Sequence, residues 1–295
     1  VDVNEDGIYQ ANEPGIDDVE IRLTDLQGNP VLDPHGDAIT AITSDGGFYL
    51  FEDLDPGEYQ IAEQQPGGVT DGAESLGSLG GTVVSNDVMQ LELARTDAHD
   101  YTFAEIGGQL TSGESAGIGF WQSKHGQELI AAGGTSLVSW LTNQFENVFG
   151  NLLANASGQE VADFYRNQLF KGKAQHSSGP AKVDAQFMAT AFNVFFTNSS
   201  LSGSLGSAYG FAVTDTGLGN RVVNVGSSGS AFDTTDGSSL TVMQLLSATN
   251  ALTDADQKLA GFASIYDLNG DGMLDADEIN LRILANELYA MINEQ

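Results

Sequence analysis

Two acidic segments of this chain, each twelve residues long, share one pattern of oxygen-bearing side chains. DVNEDGIYQANE covers residues 2–13 and DLNGDGMLDADE covers residues 267–278, and both read D-x-N-x-D-G-x5-E. Calcium takes six to eight oxygen ligands at about 2.3–2.6 Å, and a glycine at position 6 permits the sharp turn that directs successive oxygens inward. The shared pattern therefore predicts two calcium-binding loops.

The second segment has helical patterns on both sides, as in an EF-hand. Thr253-x-x-Asp256 fits a helix cap before it, and apolar residues recur after it at the spacing of one helix face. The alternative is a solvated acidic turn that binds no ion. We predict an EF-hand over residues 253–295. Its entry helix would bury Leu259, Phe262 and Ile265, and its exit helix would bury Leu281, Leu284, Leu288 and Ile292. The predicted calcium ligands are Asp267, Asn269, Asp271, the Met273 carbonyl, Asp275 (directly or through water) and Glu278.

The first segment has a different context, because Pro14-Gly15 follows it and rules out an exit helix. Strand patterns lie nearby, so this loop is predicted to belong to a β-sandwich. A solvated turn is again the alternative. The predicted ligands are Asp2, Asn4, Asp6, the Ile8 carbonyl, Gln10 (directly or through water) and Glu13, so that Ca²⁺ is the expected cofactor at two or more sites.

The charge of the chain is strongly negative, with 41 Asp and Glu against ten Lys and Arg. Residues 1–105 contain 23 of these acids and just two of the bases, Arg22 and Arg95. This balance argues against nucleic acids and anionic membranes as partners, since phosphate binding needs basic patches. Two interpretations of the acids stay open: solubility in salty medium, or neutralisation by divalent cations.

Cysteine is absent, which excludes disulfides and thiol chemistry. No apolar run of about 18 residues occurs, so membrane insertion is not expected. The chain carries no signal-peptide pattern and begins as if inside a strand. We therefore expect it to be part of a longer precursor.

Residues 1–105 alternate between apolar and polar side chains in short runs separated by Gly, Pro and Asp turns. VEIRLTD, GFYLFED, GEYQIAE and DYTFAE each have period two. Such spacing predicts an antiparallel β-sandwich of the prealbumin or immunoglobulin type.

From residue 137 onward the apolar period becomes helical. We predict a Gly/Ser-rich linker at residues 106–118, a mainly α domain at 119–252 and a hairpin near 210–226. Ser157-x-x-Glu160 fits a capping box. The predicted helical stripes are Leu137, Leu141, Phe145, Val148 and Leu152; Val161, Phe164, Tyr165 and Leu169; and Val183, Phe187, Ala191, Val194 and Phe195.

The first domain resembles a known family through the runs DVNEDGIYQANEPGIDDVEIRLTD, GFYLFEDLDPGEYQIAEQQPGG, TDGAESLGSLGGTVVSND and DYTFAE. These are similar to the calcium-binding B-repeat of bacterial serine-aspartate-repeat surface adhesins. The resemblance covers nearly all of residues 1–105. It implies a β-sandwich that serves as a stalk or spacer and is stiffened by calcium at the first loop.

Two departures from that family affect the expectation. The first lysine is Lys124, so the first domain lacks the lysine of the Lys–Asn crosslink that some relatives form. The family also begins with a strand before the calcium loop, of which Val1 alone is present. We expect the resulting open sheet edge to be completed by an upstream segment or by a strand of another molecule.

The second domain is similar to C-terminal regions of large secreted planctomycete-type proteins, through AGIGFWQSKHGQELI, VDAQFMATAFNVFFTNSSL and LRILANELYAMINEQ. That resemblance implies no activity. The acidic loop at residues 267–278 also resembles half of a dockerin, although dockerins carry two such repeats.

One motif fits catalysis: GESAG at residues 113–117 matches the G-x-S-x-G nucleophile elbow, with Ser115 as nucleophile. That motif needs a strand-to-helix turn followed by acid and histidine partners. The downstream histidines are His125 and His176, and no parallel sheet is predicted. We therefore expect no catalytic residues.

These observations favour a non-enzymatic bacterial protein at the cell surface or outside the cell. It would be a calcium-stabilised stalk, matrix or filament subunit that associates with itself or with other surface proteins. Strand complementation at the incomplete sheet is one means of assembly. The alternatives are an adhesin-like or dockerin-like module that binds protein or glycan and, more remotely, a serine hydrolase that uses Ser115.

Overall fold

The computed structural model describes residues 1–2, 13, 15–66, 69–107, 110, 112–171, 180, 182–254, 265–271 and 273–294. The chain divides into two units, residues 1–108 and 109–295. Each unit has a hydrophobic core of its own.

The described part of the first unit contains two antiparallel sheets. The larger has the strand order β2-β1-β3-β6-β5, and the smaller pairs β4 with β7. The strands are β1 (Glu20–Thr24), β2 (Thr40–Ile42), β3 (Gly57–Glu63), β4 (Val69–Ser75), β5 (Thr82–Ser85), β6 (Val88–Leu93) and β7 (Thr102–Gly107).

Alternating side chains of the larger sheet form the core of this unit. In β1, Ile21 and Leu23 are buried whereas Arg22 is exposed, as the period-two pattern predicts. Leu23 pairs with Ile61 of β3, and Ile61 pairs with Met89 of β6. Three neighbouring strands therefore direct apolar side chains to the same core, and the predicted antiparallel β architecture is confirmed.

The segment GFYLFED departs from the prediction of a regular strand. Phe48 makes one bridge with Ser44, and Tyr49 and Phe51 lie outside the strands above. Their rings nevertheless pack against the core, and the Tyr49 hydroxyl donates to the carbonyl of Tyr101 at 2.9 Å. The alternation therefore reflects aromatic anchoring of a loop.

The second unit is mainly helical. All of α5 except Asp184 is buried, and α2, α7 and α8 pack around it. No helix in the described residues is long and apolar enough to cross a lipid bilayer. The helices are α1 (Ile118–Trp121), α2 (Lys124–Gln144), α3 (Asn151–Leu153), α4 (Gly158–Phe164), α5 (Val183–Thr197), α6 (Ser199–Ser202), α7 (Val242–Ala251) and α8 (Ala276–Asn293).

The predicted helical stripes are largely buried, with one shift of register. Leu137, Leu141 and Val148 are buried, but Leu153 takes the place expected for Leu152. A π-helical turn, Glu146–Gly150, separates α2 from α3. A π-turn contains more residues than an α-turn, so the buried face moves along the sequence.

The hairpin predicted near residues 210–226 is wrong in position. Its first strand, β8 (Val222–Asn224), lies in that range, but β8 pairs with β9 (Ser239–Thr241). Thr214 instead donates its N–H to the carbonyl of Thr197 at the end of α5. Gly217, with φ of +59°, lies so close to Asn198 that an added Cβ would be 2.9 Å from its backbone nitrogen. Residues 210–217 are therefore packed against α5.

The predicted linker at residues 106–118 is also corrected. Its first two residues belong to β7, and α1 begins at Ile118. Glu114 is 1% exposed, and both of its carboxylate oxygens accept hydrogen bonds from Arg221 Nε at 2.9 Å. A buried ion pair thus fixes Glu114 within the second unit, despite the Gly/Ser-rich composition of the segment.

Candidate metal sites

The two ends of the first predicted calcium loop are buried in the structure. Asp2 is 5% exposed and Glu13 is 7% exposed. The N–H of Asp2 donates to the Glu105 carbonyl at 2.7 Å, and Asp2 makes a parallel bridge with Ile106. The other four predicted ligands, Asn4, Asp6, Ile8 and Gln10, lie outside the described residues.

Acidic side chains surround the start of the chain. Burial lowers the pKa of the Val1 amino group, and four carboxylates oppose that shift. Two of them, Asp2 and Glu13, are ends of the first loop, and the others are Glu63 and Glu105. The first loop and the strand ends beside it therefore form one acidic region.

The second predicted loop is closed by Glu278. Its carboxylate is 2% exposed, and its two oxygens accept the N–H groups of Leu268 and Asp275, each at 2.8 Å. Asp275 caps α8 by accepting the N–H groups of Asp277 and Glu278 at 2.9 Å. The carboxylate at position 12 thus links the beginning of the loop to position 9.

The remaining ligands of the second loop support its turn. Asn269 Oδ1 accepts the N–H of Asp271 at 2.9 Å, and Asp271 Oδ1 accepts the N–H of Met273 at 2.7 Å. Asp267 is fully buried. Among the described residues, the carboxylates that come within 4.8 Å of one another in groups of three belong to the first unit. Calcium binding by residues 267–278 therefore stays a prediction. The helix expected before the loop, with Leu259 and Phe262, lies outside the described residues.

An ion pair that the sequence did not indicate holds the beginning of this loop. Arg282 of α8 donates to Asp184 of α5 at 2.6 and 3.1 Å and to the Ile265 carbonyl at 2.6 Å. Asp184 Oδ1 also accepts the N–H of Ile265 at 2.9 Å. Two helices thereby fix the backbone that leads into the loop.

Five carboxylates of the first unit, which we call the inter-sheet carboxylate cluster, were also missed at the sequence level. Those of Glu63, Asp87 and Glu105 lie within 4.8 Å of one another, as do those of Asp71, Glu74 and Asp87. Glu63 is the last residue of β3, and Asp87 lies in the turn just before β6; these two strands belong to the larger sheet. Asp71, Glu74 and Glu105 lie on β4 and β7 of the smaller sheet. The cluster therefore spans the two sheets.

Backbone contacts hold the cluster in place. Glu74 Oε1 accepts the N–H of Asp87 at 2.7 Å, and the Asp87 carbonyl accepts the N–H of Glu63 at 2.9 Å. Asp87 has a φ of +60°, a left-handed conformation that few non-glycine residues adopt. Gln65 Nε2 donates to Glu105 Oε2 at 2.6 Å.

The electrostatic consequence is a set of raised pKa values. Burial, reinforced by the neighbouring Glu105 carboxylate, raises the pKa of Glu63 to about 9. Burial likewise raises the pKa of Glu105 to about 7, against the lowering effect of the Gln65 hydrogen bond. The pKa of Asp87 rises to about 6 through desolvation and the charge of Asp71.

Ser115 does not lie on a nucleophile elbow. Residues 112–114 before it form turns, whereas that motif needs a strand leading into a helix. Its neighbour Glu114 is engaged by Arg221. The ring of His125 lies 6.3 Å from that of Tyr209, and His176 is outside the described residues.

Residues 1–99 match the family model described as the SdrD B-like domain. Over 69 residues the chain is 42% identical to the bone sialoprotein-binding protein of Staphylococcus aureus strain MRSA252 and to the serine-aspartate repeat-containing protein E of strain MSSA476. These 69 residues are 23% of this chain but 6% and 5% of the two relatives. No solved structure matches the chain.

The SdrD B-like resemblance of the first unit is therefore confirmed. The likeness of the second unit to secreted planctomycete-type proteins stays a prediction.

Proposed function

We propose that this chain is a segment of a non-enzymatic bacterial protein of the cell surface, in which calcium stabilises the first unit as a stalk or spacer. The observation that carries the proposal is a calcium-loop pattern inside the SdrD B-like match, whose first and last ligands, Asp2 and Glu13, are both buried. Burying carboxylates is costly unless a cation or hydrogen bonds compensate them. Ion binding to the folded state alone then adds to folding stability.

The same proposal extends to the second unit. The D-x-N-x-D-G-x5-E loop at residues 267–278 leads directly into α8, which packs on the buried helix α5. Calcium at Asp267, Asn269, Asp271, Met273, Asp275 and Glu278 would fix the start of α8 and, through it, the packing of the second unit.

Melting of the full chain in calcium and in EDTA tests the proposal for each unit. Both tryptophans, Trp121 and Trp140, belong to the second unit, so their fluorescence reports its unfolding. Far-ultraviolet circular dichroism also reports the β-rich first unit. At free calcium 100 times the Kd, each occupied site adds about 2.7 kcal/mol. Identical melting curves in calcium and EDTA by both probes would refute the proposal.

Assembly by strand complementation is a second candidate role, supported by an open groove in the first unit. A cavity of about 870 Å³ lies against the apolar side chains of Ile21, Tyr49, Phe51, Leu91 and Phe103. Asp2 pairs in parallel with β7 at the margin of this region. A strand of another copy that ran along β7 would place alternate side chains in the groove.

Sedimentation velocity in calcium tests assembly directly. Species larger than the monomer that grow with protein concentration support strand exchange between copies. A monomer at every concentration leaves the stalk role intact but contradicts assembly. An adhesin-like or dockerin-like module would instead stay monomeric and bind a protein or glycan, and ester hydrolysis that Ser115→Ala abolishes would favour the hydrolase.

A further inference from the structure

The inter-sheet carboxylate cluster contains three buried oxygens that accept no hydrogen bond from an N–H or O–H donor of the described residues, because carboxylates of the cluster face one another. They are Glu63 Oε2, Asp87 Oδ1 and Glu105 Oε1, one from each member of a group whose carboxylates lie within 4.8 Å of one another. Glu105 as a whole is 2% exposed. Buried polar atoms are almost always hydrogen-bonded, so three unsatisfied oxygens at one point need a specific explanation, such as a bound ion.

The basic side chains of the first unit do not neutralise this cluster. Residues 1–105 contain two of them, Arg22 and Arg95. Arg22 donates to Glu20 at 2.7 Å and to Gln64 at 3.1 Å, and Arg95 is exposed. Neither arginine therefore balances the charge of the five carboxylates, which a bound cation would do.

A single proton satisfies the cluster incompletely. One proton between Glu63 and Glu105 would provide a donor for that pair. The carboxylate of Asp87 would still face those of Asp71 and Glu74. Repulsion among the remaining charges would oppose the close approach of the two sheets.

We propose that a calcium ion binds between the carboxylates of Glu63, Asp87 and Glu105, with Asp71 and Glu74 beside Asp87 as further oxygen donors. Its donors are different residues from those predicted for the two loops, although Glu63 and Glu105 lie in the same acidic region as Asp2 and Glu13. Its donors are all hard oxygens, which calcium accepts in numbers of six to eight and in flexible geometry. Zinc favours nitrogen and sulfur, and magnesium demands a near-octahedral arrangement.

The backbone of β4 is shaped to present these donors. The β4–β7 ladder pairs Asp71 with Glu105 and Glu74 with Phe103, with two residues of β4 opposite one of β7 between these pairs. At this bulge an added Cβ on Gly72 would lie 2.5 Å from the Ala104 carbonyl oxygen. Asp71 and Glu74 are three positions apart, so a regular strand would direct their side chains to opposite faces. The bulge instead brings both carboxylates close to that of Asp87.

The ion would connect the two sheets of the first unit. Glu63 belongs to the larger sheet, Asp87 lies in the turn between its strands β5 and β6, and Glu105 belongs to the smaller sheet. The next residue after Glu105, Ile106, bridges Asp2 at the start of the first loop. Occupancy of the cluster therefore stabilises the sandwich at the end where the predicted loop begins.

Calorimetric titration of the ion-free full chain with calcium chloride tests the site. The double variant Glu63→Gln/Glu105→Gln keeps the side-chain volumes but removes two charges, and it should lose one equivalent of bound calcium. Glu58→Gln, an exposed position on the same strand β3, is the matched control and should keep it. Unchanged stoichiometry and affinity in the double variant would overturn the proposal.

A second readout covers the case in which the variant folds poorly. In EDTA at pH 8, removing two buried carboxylates should raise the melting temperature of the first unit above that of the wild type. In calcium the order should reverse, because the variant has lost the ion. A variant that melts below the wild type by the same margin in both conditions would show a purely structural role and also overturn the proposal.

The loop proposal is distinguished by Asp6→Asn. If this variant and the double variant each lose one calcium equivalent and their combination loses two, the loop and the cluster both bind. A combination that loses one equivalent in all would show a single shared site and overturn the cluster proposal. If the double variant alone loses one, the cluster stands and the loop proposal fails. If Asp6→Asn alone loses one, the cluster proposal fails.

Discussion

Asp71 on β4 lies directly across the ladder from Glu105 on β7. Like charges at opposed positions of an antiparallel pair destabilise a sheet. Here Glu63, Glu74 and Asp87 add three more acids to the same place. The first unit thus concentrates repulsion where its two sheets approach, and a divalent cation would convert that repulsion into a link between the sheets.

The ion-free first unit should lose stability as the pH rises from about 6 to about 9. The pKa values of Asp87, Glu105 and Glu63 are raised to about 6, 7 and 9, so the folded state holds protons that the unfolded chain releases near pH 4. Their stabilising effect is complete below pH 4 and is lost as the pH passes each folded value. The other acids that face these groups are Asp71 and Glu74, and the Val1 amino group faces Glu63 and Glu105.

Melting by circular dichroism in EDTA at pH 6 and pH 9 measures this loss. Glu63→Gln should reduce the difference, and saturating calcium should remove it, since the ion binds the deprotonated carboxylates. Glu58→Gln should leave it unchanged. A melting temperature in EDTA that is level or higher at pH 9 would contradict the prediction.

Gly72→Ala should destabilise the first unit by about 1–3 kcal/mol, the usual cost of forcing an extra carbon into a packed site. Its Cβ would lie 2.5 Å from the Ala104 carbonyl oxygen and would push β4 from β7 at the bulge. Calcium binding by the cluster should weaken as well. Gly119→Ala is the control, because an added Cβ there meets no atom within 4 Å. Equal, small effects of the two variants would exclude a role for the bulge.

Glu114→Gln should destabilise the second unit by about 3–5 kcal/mol, because it leaves the Arg221 guanidinium buried without its counter-ion. Urea denaturation followed by tryptophan fluorescence provides the measurement. Glu128→Gln breaks a more exposed pair with Lys124 and should cost less than about 1 kcal/mol. A Glu114→Gln effect as small as that of Glu128→Gln would mean that the Glu114–Arg221 pair does not stabilise the second unit.

Asp271→Asn should reduce the stabilisation of the second unit by calcium while preserving the loop turn. The amide oxygen can still accept the N–H of Met273, but one negative charge is lost from the predicted site. Asp277→Asn removes the same charge from an exposed neighbour and should leave the calcium effect intact. Tryptophan-detected melting in calcium and EDTA compares the two. An equal response to calcium in both variants would argue against the loop as a binding site.

Local periodicity was sufficient to predict most of the helical unit. Val161 and Tyr165 are buried as expected, and the Ser157–Glu160 capping box forms. Both depend on residues within two helical turns of each other. The shift from Leu152 to Leu153 was not predictable in this way, because a π-turn changes the phase between one helix and the next.

The inter-sheet carboxylate cluster illustrates what a sequence pattern leaves out. Glu63 and Glu105 are far apart in the chain, and strand order and the β4 bulge alone bring their side chains together. The acidic loops, in contrast, are contiguous and could be recognised by spacing. The sequence does contain one hint of the cluster, since GEYQIAE and DYTFAE both end in an acid, Glu63 and Glu105. An acid at the end of a strand is more simply explained as exposed, so the hint alone did not predict a buried group.

A calcium anomalous difference map from crystals of the full chain grown in calcium tests the central claim most directly. The account predicts a peak about 2.3–2.6 Å from oxygens of Glu63, Asp87 and Glu105, the distance range of calcium ligands. Anomalous peaks elsewhere in the protein with none between these three carboxylates, or carboxylates that point away from one another, would contradict it.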